Sequence, residues 1–460
     1  MGVTPKRELS LFDSTCIIVG IIIGAGIYQM APDIARGAES WWGVFGIWIV
    51  GGLLSLAGAL SYAELATAYP REGGDYVYLS KAYGRWAGFL FGWAQLTVVR
   101  PGDILVMAFA FATYGRAIYD PLAAYPGLSQ RVFAGAAVLV LTIINILGIK
   151  QGKWTQNLLT TAKALGLLAI VGVAVAAPRG AGTPVSYEGL MPMTWWLALI
   201  FVLFTYGGWN EMAYVAAEVK DPRRNIVRAL VTGTAAVITL YLLVNGAFLY
   251  TLGYNGLSTS KAVASDAIGT AFPVVGSRLI SALVCISALG AVNGLIFTGA
   301  RISYAMGGDH RLFRALGHWD SRTGTPVWAL AVQGLIALAL ILAFGDYIDA
   351  VLYTAAAVYA FYLGTSLSVL VLRFKEPDVD RPYKVTGYPL TPLIFSGVCL
   401  LLIWNSINYA RAFKPKSLIV LVAALGLGVI IYIVTTALGW SRSSDQPAAQ
   451  SPGVFSSDVQ

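Results

Sequence analysis

Val19-Gly20-Ile21-Ile22-Ile23-Gly24-Ala25-Gly26-Ile27-Tyr28 is a hydrophobic run broken by glycine near its middle, and Phe204-Thr205-Tyr206-Gly207-Gly208-Trp209-Asn210 is a second. A helix that unwinds inside a bilayer exposes N–H and C=O groups that lipid cannot satisfy. Such a break survives only where protein buries it or where it lines a cavity. Paired breaks in corresponding positions of two halves point to a solute site between them. The two stretches therefore predict an all-α polytopic membrane protein whose interrupted helices hold a small molecule.

The rest of the chain fits that frame. It is 57% apolar and 12% charged, with a mean hydropathy of +0.70, whereas soluble domains carry about 25% charged residues. Runs of about 20 apolar residues, enough to span a bilayer, recur through it. They fall at about 14–35, 43–68, 86–114, 131–149, 155–177, 193–218, 227–253, 275–304, 326–345, 347–373, 389–411 and 416–439, which predicts about 12 transmembrane helices. The first begins near Leu11 with no small-residue cleavage site after it, so it reads as a membrane helix rather than a signal peptide. Residues 1–440 read as one transmembrane domain, and the Ser-, Pro-, Gln- and Ala-rich stretch 441–460 as a disordered tail.

The net charge of +8 is a topology signal, not a nucleic-acid one. The loops on the side of the N-terminus hold 20 Lys and Arg, those on the opposite side 9, and Arg100 and Lys163 lie within spans. The positive-inside rule then places both termini in the cytoplasm of a plasma (inner) membrane protein. Cys16, Cys285 and Cys399 are scattered among the spans. They form neither a metal motif nor a disulfide framework, and no metal or cofactor is expected.

Asp13, Ser14 and Thr15 are candidate caps for the first helix. At Gly24, Ala25, Gly26 and Ile27 small side chains let a ligand approach the backbone, and freed N–H groups suit a carboxylate. Alternatively, the small residues form a helix-packing seam. At the second break, freed carbonyls near Phe204 and Tyr206 can accept an ammonium group. Gly207, Trp209 and Asn210 belong to the same segment, where the aromatics are equally compatible with core packing. A ligand bearing a carboxylate and an ammonium is an α-amino acid.

Lys163 is a cation inside the fifth run, which is a functional hypothesis by default, with snorkelling to the surface as the alternative. Arg100 lies one helical turn from Asp103, close enough to pair. If unpaired, Arg100 would favour an acidic or polar side chain. Glu211 follows the second break and faces either the cavity or a neighbouring helix. Glu64 and Glu218 fall near span ends, where solvation or a structural ion pair is expected. His310 and His318, both in one loop, read as solvated.

Ser61-Tyr62-Ala63-Glu64-Leu65 with Tyr69-Pro70-Arg71-Glu72-Gly73-Gly74-Asp75-Tyr76 resembles the second-helix signature of the amino acid–polyamine–organocation superfamily. Phe204–Asn210 with Glu218-Val219-Lys220-Asp221-Pro222-Arg223-Arg224-Asn225 resembles its L-type amino-acid transporter branch. The likeness extends over about 8–440. It implies two inverted five-helix repeats, a 5+5 arrangement with discontinuous helices 1 and 6, at about 14–177 and 193–373, plus two extra helices at about 389–439. It also implies sodium-independent exchange of L-amino acids by alternating access. By resemblance the backbone at Ala25, Gly26 and Ile27 holds the carboxylate, and the backbone at Phe204 and Tyr206 holds the amino group. Phe204 covers the site, and Lys163 takes the place of a sodium ion and couples the first and eighth helices. Many relatives have Ser at the position of Ala25. The animal members carry a loop cysteine for a disulfide-linked heavy subunit, and Gly115 to Arg131 has none. No heavy subunit is therefore expected for a prokaryotic-type member.

Small neutral L-amino acids are the expected substrates, because no unmatched acid stands out to meet a cationic side chain. Proton-coupled uptake with Lys163 as the titrating group is an alternative, and so is a sensor that does not transport. A membrane enzyme is disfavoured, since no nucleophile–base cluster lies within the spans.

Overall fold

The computed structural model describes residues 6–176, 193–260, 262–269, 272, 276–343, 347–413 and 415–439. Its α-helices in chain order are α1 (Leu11–Ile22), α2 (Gly26–Gln29), α3 (Ala31–Ala38), α4 (Trp41–Ala68), α5 (Asp75–Tyr83), α6 (Arg85–Ala94), α7 (Arg100–Ile118), α8 (Pro126–Leu147), α9 (Ile149–Ala176), α10 (Trp195–Thr205), α11 (Pro222–Thr259), α12 (Val263–Gly269), α13 (Gly276–Asp309), α14 (Val327–Ala343), α15 (Tyr347–Lys375), α16 (Leu390–Phe413) and α17 (Pro415–Ala437). Among the described residues, nine stretches are long and apolar enough to cross a membrane, with shorter apolar helices in α14 and α17. The broken segment of α10 and the 3-10 turns at Trp209–Glu218 completes the twelve spans expected. The 441–460 tail lies outside the described residues.

Local chemistry sets the ends of the first span. Ser10 caps α1, accepting from the Asp13 N–H at 3.2 Å, while Asp13 accepts from the Ser10 N–H at 2.9 Å. This reciprocal capping box satisfies two orphan donors. It corrects the expected cap: Asp13 serves from the third helical position, and Ser10 is the cap itself. The stretch after α4, read as loop, also contains a short helix, α5, which begins at Asp75.

The packing separates centre from rim. The first, third and eighth spans have 72–78% of their most apolar windows buried, whereas the fifth has 28%. α8 and α9 turn Leu139, Val140, Ile143, Leu158 and Leu165 outward, where lipid is the only apolar partner. α1 packs on α9, α11 and α13 and on the Trp209–Glu218 turns. The two broken spans thus lie side by side in the interior. α16 and α17 attach to α4, α6 and α15 at the periphery.

The face carrying the N-terminus is closed by ion pairs and a short bridge. Leu9 donates to Glu218 O at 2.9 Å and accepts from Lys220 N–H at 2.8 Å. Glu218 meets Arg301 at 2.7 Å with both side chains fully buried. Glu64 accepts from Arg373 at 2.8 and 2.6 Å and from the Val385 N–H at 2.7 Å. Glu64 and Glu218 are therefore structural ion-pair members rather than solvated ends. His310 departs from expectation too: it is buried against Phe89 and Tyr432, and burial pushes its pKa down. Cys16, Cys285 and Cys399 are free and buried.

Candidate functional site

α1 stops at Ile22 because the next residues leave helical geometry, with Ile23 at φ −73°, ψ 79°. The chain resumes as a helix at Gly26, with Ala25 as its cap. Several of the carbonyls freed by this break are claimed. Tyr241 Oη donates to Ile22 O at 2.9 Å, and Ser287 Oγ donates to Ile23 O at 2.9 Å and Gly24 O at 3.1 Å. The N–H groups on the other side are not claimed. Among the described residues, those of Ala25, Gly26 and Ile27 donate to no protein acceptor. Buried N–H groups are almost always paired, so three unspent donors at one break form a cradle for an anionic group.

The second break follows the same logic. The Tyr206 N–H closes α10 onto Val202 O at 2.9 Å, and Gly207 turns back onto Phe204 O at 2.9 Å. Gly208 then adopts φ +109°, where a Cβ would lie 2.7 Å from Ile21 Cγ2. Only glycine meets both demands. That close approach seats the second break directly on the first.

Between them lies a cavity with about 120 Å3 open to the centre of a water molecule. Gly24, Gly26, Phe204 and Gly207 line it, as do Asp103, Met107, Thr205, Glu211, Tyr359 and Tyr362. The other residues singled out from sequence are placed differently. Ala25 and Ile27 are fully buried beside the cavity and are not among its lining residues. The Tyr206 ring packs edge-on to Trp48, 5.5 Å between centroids, and beside Tyr241. Trp209 packs among Tyr62, Tyr362 and Phe395. Asn210 donates to Tyr214 Oη at 2.8 Å and accepts from Tyr362 Oη at 2.9 Å. These three side chains shape the wall from behind.

Lys163 is fully buried. Its ammonium donates to Gly20 O, to Ile23 O at 2.7 Å and to Ser287 O at 3.2 Å. All three of its donors are spent on backbone, and they tie α9 to the first break and to α13. The snorkelling alternative is thereby excluded.

Arg100 does not pair with Asp103. A π-helical turn over Gln95–Val99 precedes it, with its N–H bonded to Gln95 O five residues back. Pro101 follows and has no N–H to offer a regular helix. The Arg100 guanidinium donates to both carboxylate oxygens of Glu211 at 3.0 Å, and Glu211 also accepts from Thr298 Oγ1. Arg100 is therefore neither unpaired nor matched to its neighbour in sequence. Asp103 was weighed only as that neighbour, so sequence reading missed it as a wall residue. Tyr359, Met107 and Tyr362 were missed because nothing local marks which face of a long apolar helix is inward. Among the described residues, no group of three His, Cys, Asp or Glu side chains is placed to hold a metal ion.

Comparison with known proteins is consistent across the chain. The model of a family described as amino acid permease matches residues 9–436. The chain is 31% identical to the b(0,+)-type amino acid transporter 1 of Mus musculus over 97% of this chain and 91% of that one. It is 32% identical to the large neutral amino acids transporter small subunit 2 of Mus musculus over 88% and 78%. It is also 32% identical to the serine/threonine exchanger SteT of Bacillus subtilis (strain 168) over 85% and 88%.

Proposed function

The chain belongs to the amino acid permease family, and from that premise we propose that it exchanges small neutral L-amino acids across the membrane without sodium. The carrying observation is the set of unclaimed N–H groups at Ala25, Gly26 and Ile27, at the break whose Gly24 and Gly26 line the same cavity as the second break. In this reading those donors receive the substrate carboxylate. The carbonyls at Phe204 and Tyr206 receive its ammonium, and Phe204, half-buried at the cavity wall, covers it. The serine/threonine exchanger among the relatives supports small substrates and exchange.

Lys163 supports sodium independence. Its fixed ammonium is bonded to two carbonyls of the first break and one of α13, so a positive charge already occupies the polar centre where a coupling cation would be held. In alternating access, the first and eighth spans rearrange around that charge. The N-terminal face is the cytoplasmic one by its excess of Lys and Arg. Gly115–Arg131 offers no cysteine to a heavy subunit, and the carrier works without one.

The test is uptake of labelled L-alanine into sodium-free proteoliposomes, loaded or not with unlabelled amino acid, with and without a pH gradient. Uptake confined to loaded vesicles is the expected result. Uptake into empty vesicles driven by the pH gradient would replace exchange with proton coupling. Absence of flux for every amino acid would overturn transport and leave a sensor.

A further inference from the structure

We propose that the N-terminal face carries a site for the phosphate headgroup of an anionic phospholipid, separate from the cavity between the broken spans. A second cavity lies between the N-terminal segment, the turn from α8 to α9 and the loop before α14. About 310 Å3 of it is open to the centre of a water molecule. One water needs about 10–15 Å3 by that measure, so a headgroup has room. Among the described residues its charged lining is Lys6, Lys150 and Arg322 with one acid, Glu8. No ion pair or side-chain hydrogen bond among the described residues engages any of these four charged groups. The nearby Lys153 differs, because its ammonium pairs with Asp13 at 3.4 Å. The wall therefore holds three free cations against one acid, an excess that a phosphate satisfies and a neutral ligand does not.

The backbone builds this cavity. The Ile149 N–H donates to Thr323 O at 3.2 Å, which ties the α8–α9 turn to the loop before α14. Within that loop the Asp320 carboxylate accepts from the N–H groups of Arg322 at 2.7 Å and Thr323 at 3.4 Å, fixing where Arg322 leaves the chain. The first turn of α9 also lines the cavity and adds the positive end of a 28-residue helix. An arginine fork with lysines beside it suits phosphate oxygens. Leu147 favours a lipid source: it ends α8, lines the cavity and is 61% exposed, continuing the outward stripe of Val140 and Ile143. Acyl chains can lie along that stripe while the headgroup enters the cavity, as anionic headgroups do in basic pockets between spans on the cytoplasmic side. The site also adjoins the closure of this face. Glu8 precedes Leu9, which bridges to Glu218 and Lys220. Trp319, another wall residue, has the Arg301 guanidinium 5.7 Å from its ring centre. An occupied site therefore holds the N-terminal segment over the closed face and stabilises the protein.

The test titrates phosphatidylglycerol, phosphatidylcholine or glycerol 3-phosphate into the purified full chain in detergent and reads the thermal midpoint. Expected is a saturable rise with phosphatidylglycerol and none with the other two at equal concentration, a result that needs no variant. In Lys150→Gln/Arg322→Gln the half-saturating phosphatidylglycerol concentration should rise at least about tenfold. Arg224→Gln/Arg228→Gln removes the same charge from exposed positions on α11 outside the cavity, and should leave that concentration unchanged. Equal losses in the two double variants would reduce the effect to general attraction by a basic face and overturn the site. No rise with phosphatidylglycerol, or an equal rise with phosphatidylcholine, would overturn it as well. An equal rise with glycerol 3-phosphate would overturn the lipid assignment in favour of a soluble phosphate. Binding is read here without transport, so this proposal and the carrier reading fail separately.

Discussion

Lys163 shows how much one buried side chain can be asked to do. Its ammonium is the only donor group joining Gly20 O, Ile23 O and Ser287 O among the described residues. Hydrogen bonds to charged groups are worth about 1.5–3 kcal/mol each, and loss of one in a single state of the cycle slows that cycle by about tenfold or more. Lys163→Ala is expected to elute as a monodisperse protein and to lose at least about tenfold in exchange rate; near-normal exchange would remove Lys163 from the mechanism. Gly26 is the second residue to probe, because a Cβ there would meet Thr205 Oγ1 at 3.0 Å. Gly26→Val places a branched side chain in the carboxylate cradle. Competition assays should show weakened L-alanine affinity, and unchanged affinity would place the carboxylate elsewhere.

At the scale of elements, the ends of the broken spans behave as a latch. The Trp209–Glu218 turns are tied to the N-terminal segment through Leu9 and to α13 through Glu218 and Arg301. Both charges of that pair are fully buried, so removing one partner leaves the other uncompensated, at a cost of about 3–5 kcal/mol. Arg301→Met should lower the thermal midpoint in detergent markedly, and Glu218→Gln in the same background should recover part of the loss. A double variant no better than the single one would show that the pair is not coupled. The two residues are far apart in sequence, and nothing near either announces the other. Arg100 carries the same lesson. Its spacing to Asp103 suggests an intrahelical pair, but the π turn before it and the break before Glu211 bring a different acid within 3.0 Å.

At the scale of the molecule, the closed N-terminal face buries a group that titrates near neutrality. Glu72, in the loop between α4 and α5, sits half-buried beside Glu218 and Arg301. Burial first, and the Glu218 charge second, raise it from an ordinary 4.5 to about 7. The folded, closed protein therefore binds this proton more tightly than the unfolded chain does. Its contribution favours the folded form below about 4.5 and is lost as pH climbs through about 7. Thermal midpoints of the wild type should accordingly fall across that window, and Glu72→Gln should flatten the fall. Parallel curves for the two proteins would show that Glu72 does not contribute.

What the sequence determined by itself is the part governed by local chemistry and by the bilayer. Twelve apolar runs follow from the length a span needs. The two breaks follow from glycine at mid-depth, because an unwound backbone in lipid demands a protein-lined cavity. Gly24, Gly26, Phe204 and Gly207 could be named as cavity residues from that argument, and Lys163 as a buried cation from its place in a span. The tertiary structure alone decided who satisfies whom. Tyr206, Trp209 and Asn210 turn their side chains into the packing behind the cavity, and Glu211 is neutralised by Arg100. Asp103, the supposed partner of Arg100, is left facing the cavity. Hydrogen bonds and ion pairs between spans depend on helix rotation and on where a π turn or a broken turn shifts the register. A one-dimensional pattern records the inward residues of a single helix but not the group each one meets.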